Sequence, residues 1–298
     1  MAALAVGGAG RYPACPMSTA TSATLHDLAS HLPAELGTLA ASLRDEVLAA
    51  RDRLAVVFPG LPRRAGREVV QAPTGRATAL GPGRVDLAAF RRCDLVASWL
   101  LLAVEANTDE LYDLYAHGDI EERSMLLRAL HFLPVGPITV RLFGEVQRTN
   151  MLVHLEAAIA DGDLFARTVG QPGFDLSTAN KLLLKLAFLD LPLQRALGAE
   201  RHANAELSQM LQDLATEREA AGRAVWRDTA RLLGRAPVPG TLARLLGGLE
   251  HGDDGVRLAA AEGLLLLGRP ELAPFAIERL PRERRPAIRA ILERLAGH

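Results

Sequence analysis

This 298-residue chain has two lysines, Lys181 and Lys185, and they stand one helical turn apart. Ammonium heads at i and i+4 share one face of a helix and repel unless an anion or a carboxylate lies between them. Three chemistries suit such a pair. The stems snorkel along apolar surface while the heads pair with Asp213 or Glu217. Alternatively, the heads line a cationic groove for a phosphate, a carboxylate or an acidic partner. In the third case a desolvated lysine acts as a base or as a Schiff-base amine. The last needs a second catalytic group, and none identifies itself.

Other polar residues cluster in the same central stretch. "EVQRTNMLVHLEAAIA" places Glu145, Arg148 and Asn150 where one helix ends and the next begins. "STANKLLLKLAF" adds Asn180 to the lysines on a helix that is otherwise almost wholly apolar. "RHANAELSQMLQDLATEREAAGR" adds Arg201, Asn204, Arg218 and Arg223, with Gly222 suited to the residue just past a helix end. The candidate site for an anion or metabolite is therefore Arg148, Asn150, Asn180, Lys181, Lys185, Arg201, Asn204, Arg218 and Arg223. The competing reading makes these residues helix corners held by charge. Convergence on one concave pocket favours a ligand site; dispersal with pairing to Glu145, Asp213 and Glu217 favours a scaffold. No catalytic residue is assigned.

Other sites lack their signatures. There is no HExxH, and the histidines are scattered, so no metal is expected. The glycines near Gly7–Gly10 and Gly81–Gly83 lack the context of a phosphate loop, and no G-x-S-x-G elbow occurs. No cofactor is expected.

Helices position these groups. Leu and Ala dominate, and no sustained alternation marks a strand. The fold class is all-α: a helical bundle or α-solenoid with HEAT-like hairpins, especially at the C-terminus. The segment up to about Ala23 reads as a disordered tail. A long helix is predicted from Pro33 to about Phe58, then a basic loop over 59–84 rich in Pro, Gly and Arg. Val85–Ala106 reads as a buried helix, apolar on most sides. Asn107 or Thr108 caps the next helix, and Asp119 the one after. Further helices are predicted at Ile138–Arg148, Met151–Ala160, Asp175–Asp190, Ala203–Glu219 and Ala224–Leu233. In the last part, Asp254, Val256, Arg257, Ala259, Ala260, Ala261, Leu264, Gly268 and Pro270 follow the order of a HEAT-like repeat. The domain reading is a tail over 1–23, an all-helical domain over 24–235 and HEAT-like helices over 236–298.

The net charge of -1 argues against a nucleic-acid binder working by bulk charge. Two cysteines, Cys15 and Cys93, make no disulfide framework, which fits a reducing cytoplasm. No apolar run reaches the ~18 residues of a transmembrane helix. The apolar start lacks a charged region before it, so no signal peptide is expected.

"GDIEERSMLLRALHFLP", "EVQRTNMLVHLEAAIA", "NKLLLKLAF" and "GAERHANAELSQMLQDLATEREAAGR" resemble, in order and spacing, successive blocks of the EboA family over about 85–235. The most specific matches are Arg148-Thr149-Asn150, Asn180 with Lys185, Arg201 with Asn204, and the run from Glu217 to Arg223. The chain departs from the family pattern before Asn180, where an Asn-Pro-Tyr-Pro-like turn is missing, and at Ala179, where Phe is usual. The resemblance implies a setting: an operon for making or exporting a small metabolite, with a UbiA-type prenyltransferase and sugar- or cyclitol-like enzymes. It carries no assigned reaction. The expectation is an accessory helical protein that binds an anionic metabolite or an operon-encoded enzyme. The alternative is an enzyme acting on a prenylated or phosphorylated metabolite through the Arg/Asn/Lys cluster.

Overall fold

The computed structural model describes residues 19–297. Among these residues the chain is mostly helical, with one two-stranded antiparallel sheet. The elements run α1 (Thr19–Ser30), α2 (Ala34–Ala49), α3 (Leu54–Ala65), β1 (Thr78–Leu80), β2 (Gly83–Val85), α4 (Arg92–Ala103), α5 (Thr108–His117) and α6 (Ile120–Ala129). Then come α7 (Pro137–Arg148), α8 (Leu152–Ile159), α9 (Leu164–Thr168), α10 (Leu176–Phe188) and α11 (Ala205–Ala220). The chain closes with α12 (Thr229–Arg235), α13 (Thr241–Leu249), α14 (Asp254–Leu267), α15 (Ala273–Arg279) and α16 (Pro286–Ala296).

Helix α4 is the centre of the first core. Leu95, Val96, Leu100 and Leu101 are buried on different sides of it, and α1, α2, α3 and α6 pack around it. This core extends from Leu28 to Leu232. A second apolar cluster runs from Leu245 to Leu295, built from α13 to α16. Helices α12 and α14 join the two regions through glycines. A Cβ on Gly263 would sit 2.5 Å from the Ala230 carbonyl oxygen, and one on Gly234 would strike the backbone of Gly263. Small residues alone allow this approach.

The caps follow their sequence signals. Asn107 accepts from the N–H groups of Asp109 and Glu110, and Asp119 accepts from that of Glu122. Gly222 has φ 66°, and the N–H of Arg223 reaches back to the carbonyl of Arg218. This is the helix end predicted at Gly222, closed by the backbone of Arg223.

Several boundaries differ from expectation. Of the tail predicted over 1–23, residues 1–18 lie outside the described residues, while residues 19–23 open α1. The long helix from Pro33 breaks at Ala50, which is extended. The break lets Arg51 donate to the carbonyls of Val104 (2.5 Å) and Glu105 (3.2 Å) beyond α4. The basic loop over 59–84 is much shorter than predicted. Helix α3 runs through Pro59 and Pro62 because Leu54, Val57, Phe58, Leu61 and Ala65 bury one face. That burial outweighs the lost hydrogen bonds of two prolines. The loop's end folds as the β1–β2 hairpin. The buried helix starts at Arg92 rather than Val85, because Val85 is in β2. The helix predicted from Ala224 starts at Thr229.

Candidate functional site

The nine residues singled out by sequence stand at exposed positions or at contacts between helix ends. Arg148 and Asn150 are exposed, and Arg148 pairs with Glu145 on its own helix. Asn180 is buried and exchanges amide hydrogen bonds with Asn204 at 3.1 and 2.8 Å. It also donates to Glu206 at 2.9 Å. Asn204 caps α11 through the Leu207 N–H, so the amide pair staples α10 to the start of α11. Arg218 donates to the Ala187 carbonyl at 2.8 Å and to both Asp190 oxygens, tying the end of α11 to the end of α10. Lys181, Arg201 and Arg223 are exposed.

Lys185 takes none of the acidic partners proposed for it. Its Nζ donates to the carbonyls of Gln147 (2.7 Å), Val146 (3.4 Å) and Thr149 at the end of α7. Burial pushes its pKa down. Three carbonyl acceptors nevertheless engage all three ammonium protons, which favours the charged form. Asp213, one expected partner, accepts from Gln209 instead. These groups hold helix ends together.

A different set of residues lines a cleft of about 660 Å³. Helix α6 presents Ile120, Ser124 and Arg128 along one face at four-residue steps. Helix α8 contributes Val153, Glu156 and Ala157, and Val69, Ala89, Arg91, Asp119 and Glu121 complete the lining. Val69, Ile120 and Val153 are 60%, 54% and 42% exposed, so apolar groups stand open to solvent beside the charged ones. His154, buried behind them, donates through Nε2 to the Ile120 carbonyl at 3.2 Å and fixes the start of α6. Burial holds the His154 pKa below the ordinary histidine value.

Arg128 is the distinctive group of this cleft. Its guanidinium stacks 4.9 Å over the Phe90 ring. Asp94 and Asp161 face it at 3.9 and 3.8 Å, near enough to attract but too far for hydrogen bonds. Its Nη1 is buried with no hydrogen-bond partner among the described residues. Burial lowers its pKa against the pull of Asp94 and Asp161. An arginine so placed still carries its charge, since its ordinary pKa is above about 12.

The surrounding charges are paired. Arg91 commits Nε and Nη2 to Asp94 and Nη1 to Glu121. Arg67 holds both oxygens of Glu121 at 2.7 Å. Those bonds, with Arg67 foremost, keep the Glu121 pKa below the usual carboxylate value. Arg195 holds Asp161 through two bonds and Glu156 through a third at 2.5 Å. Asp161 has φ 64°, a strained conformation for a residue with a side chain. Its neighbour Gly162 bridges both Val85 and Ala196, and a Cβ there would strike the His131 ring. The frame behind Arg128 is thus rigid and locally strained.

Sequence reasoning missed this set. Asp94 was the available signal, because a carboxylate inside an all-apolar helix requires a buried cation. The identity of that cation is not readable, since Arg91 and Arg128 reach it from different elements.

The family model described as metabolite traffic protein EboA matches residues 56–234. The chain belongs to the EboA family. The match spans more than half of the chain and includes every residue lining the cleft. The EboA match ends at the last turn of α12, so α13 to α16 lie beyond it. No curated protein and no solved structure matches the chain. Among the described residues no group of three or more His, Cys, Asp or Glu is placed to hold a metal. No helix among them is long and apolar enough to cross a membrane.

Proposed function

We propose that this protein binds a small metabolite in the α6–α8 cleft and passes it on unchanged, as an accessory to the metabolite's synthesis or export. The observation that carries this reading is the Arg128 guanidinium, which makes no hydrogen bond among the described residues, in the wall of a cleft that also offers Val69, Ala89, Ile120, Val153 and Ala157. A cavity of about 660 Å³ is within the usual range for small-molecule sites, ~300–1,000 Å³, and such sites pair apolar walls with a few placed polar groups. The family's description as a metabolite traffic protein supports the same role. The reading sets the protein in the cytoplasm, with the operon's enzymes, such as a prenyltransferase, as source or recipient. In it α14 and α15 form a HEAT-like hairpin that extends the bundle and offers a surface to such a partner. The enzymatic alternative through the Arg/Asn/Lys cluster gains no support, because Asn180, Lys185, Asn204 and Arg218 are occupied with helix ends.

The test is mass spectrometry of small molecules released from protein purified out of its native host. Wild type is expected to carry a ligand that a cleft-filling variant, Val153→Trp, lacks. Identical extracts from the two folded proteins would remove the cleft from the account.

A further inference from the structure

The charge balance of the cleft bears on what kind of metabolite enters it. We infer that the ligand is an uncharged amphipathic molecule that presents a hydroxyl or carbonyl oxygen to Arg128, and not a phosphorylated one. This deepens the metabolite-binding reading and rests on it.

Three observations support the inference. First, the four guanidiniums of the frame already face four carboxylates, and Asp119 adds a fifth negative charge at the start of α6. The positive end of the α6 dipole offsets part of that fifth charge. The set is therefore neutral to slightly negative before any ligand arrives. A phosphate would bring up to two further negative charges into partly desolvated space, where repulsion is stronger than in water.

Second, donors are scarce. Phosphate sites gather several N–H groups or a bidentate arginine. Here Arg91 has no guanidinium nitrogen to spare, and Ser124 gives its hydroxyl proton to the Ile120 carbonyl at 2.7 Å. The Arg128 guanidinium makes no hydrogen bond among the described residues. One neutral oxygen on the exposed part of the Arg128 guanidinium leaves the balance of the frame intact.

Third, the rest of the wall suits an apolar body. Val69, Ala89, Ile120, Val153 and Ala157 offer carbon surface, and the Glu156 carboxylate oxygen not held by Arg195 accepts from a second hydroxyl. A diol or polyol with an aliphatic part fits both surfaces.

The inference is tested by calorimetric titration of the full chain with three eight-carbon probes: 1,2-octanediol, octanoate and octyl phosphate. The chain length is constant, so the order of affinity reports the head group. The diol is expected to bind at least tenfold more tightly than octyl phosphate, with octanoate between them. Binding should be lost in Val153→Trp. That variant is preferred to Arg128→Leu, which leaves Asp94 and Asp161 uncompensated and threatens the fold. If either anion binds as tightly as the diol and Val153→Trp abolishes it, the uncharged-ligand inference falls while the metabolite cleft stands. If no probe binds, or Val153→Trp binds all three like wild type, both fall.

Discussion

Replacing Lys185 by Met separates its structural role from the ligand-binding role suggested by its sequence. The substitution keeps the aliphatic stem and removes the donor to three carbonyls at the end of α7. A hydrogen bond with a charged partner contributes about 1.5–3 kcal/mol, and a cation at a helix C-terminus adds about 0.3–1 kcal/mol. Water reaches this half-buried position and replaces part of the loss, so we expect a destabilisation of about 2–3 kcal/mol. With a urea slope of about 3 kcal/mol/M, the unfolding midpoint falls by about 0.8 M. Lys185→Arg keeps charge and donors and should recover about half of the loss. Equilibrium urea unfolding followed by circular dichroism reads both variants. A Met variant as stable as wild type within about 0.5 kcal/mol would refute the capping role, and loss of metabolite in that stable variant would restore the sequence-based site.

Further predictions concern the frame and the helix contacts. Burial holds His131 neutral, with its pKa pushed down to about 3, against an ordinary value of 6.5. The unfolded chain takes up a proton below pH 6.5 and the folded one does not, so stability present at neutral pH is lost as pH falls toward 3. Between pH 7 and pH 4 the loss from this residue is about 3 kcal/mol, and His131→Gln should show a correspondingly flatter acid profile in the same unfolding assay. Parallel profiles would show that His131 is not held neutral. Gly263→Ala should destabilise by about 1–3 kcal/mol and make α13 to α16 more sensitive to limited proteolysis, because its methyl meets the Ala230 carbonyl. Gly247→Ala, in open space on α13, should be neutral or stabilising by up to about 1 kcal/mol. Equal effects at the two glycines would contradict the close approach of α12 and α14.

The helices were legible where apolar spacing and caps agreed, as at Asn107, Asp119 and Gly222. Helix α3 was not, because Pro59 and Pro62 read locally as a loop while the burial that overrides them comes from α2 and α4. The break at Ala50 depends on Arg51 reaching carbonyls more than fifty residues away. The same limit shaped the site. Two lysines one turn apart on the apolar α10 called for an anion or a carboxylate between them, and a ligand was one of the readings. The partners of Lys185 are backbone carbonyls of α7, and a carbonyl left unpaired at a helix end has no letter in the sequence. Arg128 was hidden by its setting at the end of a leucine-rich stripe. Only the fold brings Asp94, Asp161 and Phe90 around it while leaving Nη1 free.

The central claim is that metabolite binds in the α6–α8 cleft. Methyl NMR of isoleucine- and valine-labelled protein tests it most directly, using the small-molecule fraction released from the purified wild type as titrant. The account predicts shifts concentrated at Ile120, Val153 and Val69, with Val146 beside the Lys185 contact unmoved. Shifts at Val146 with those three methyls silent would contradict it.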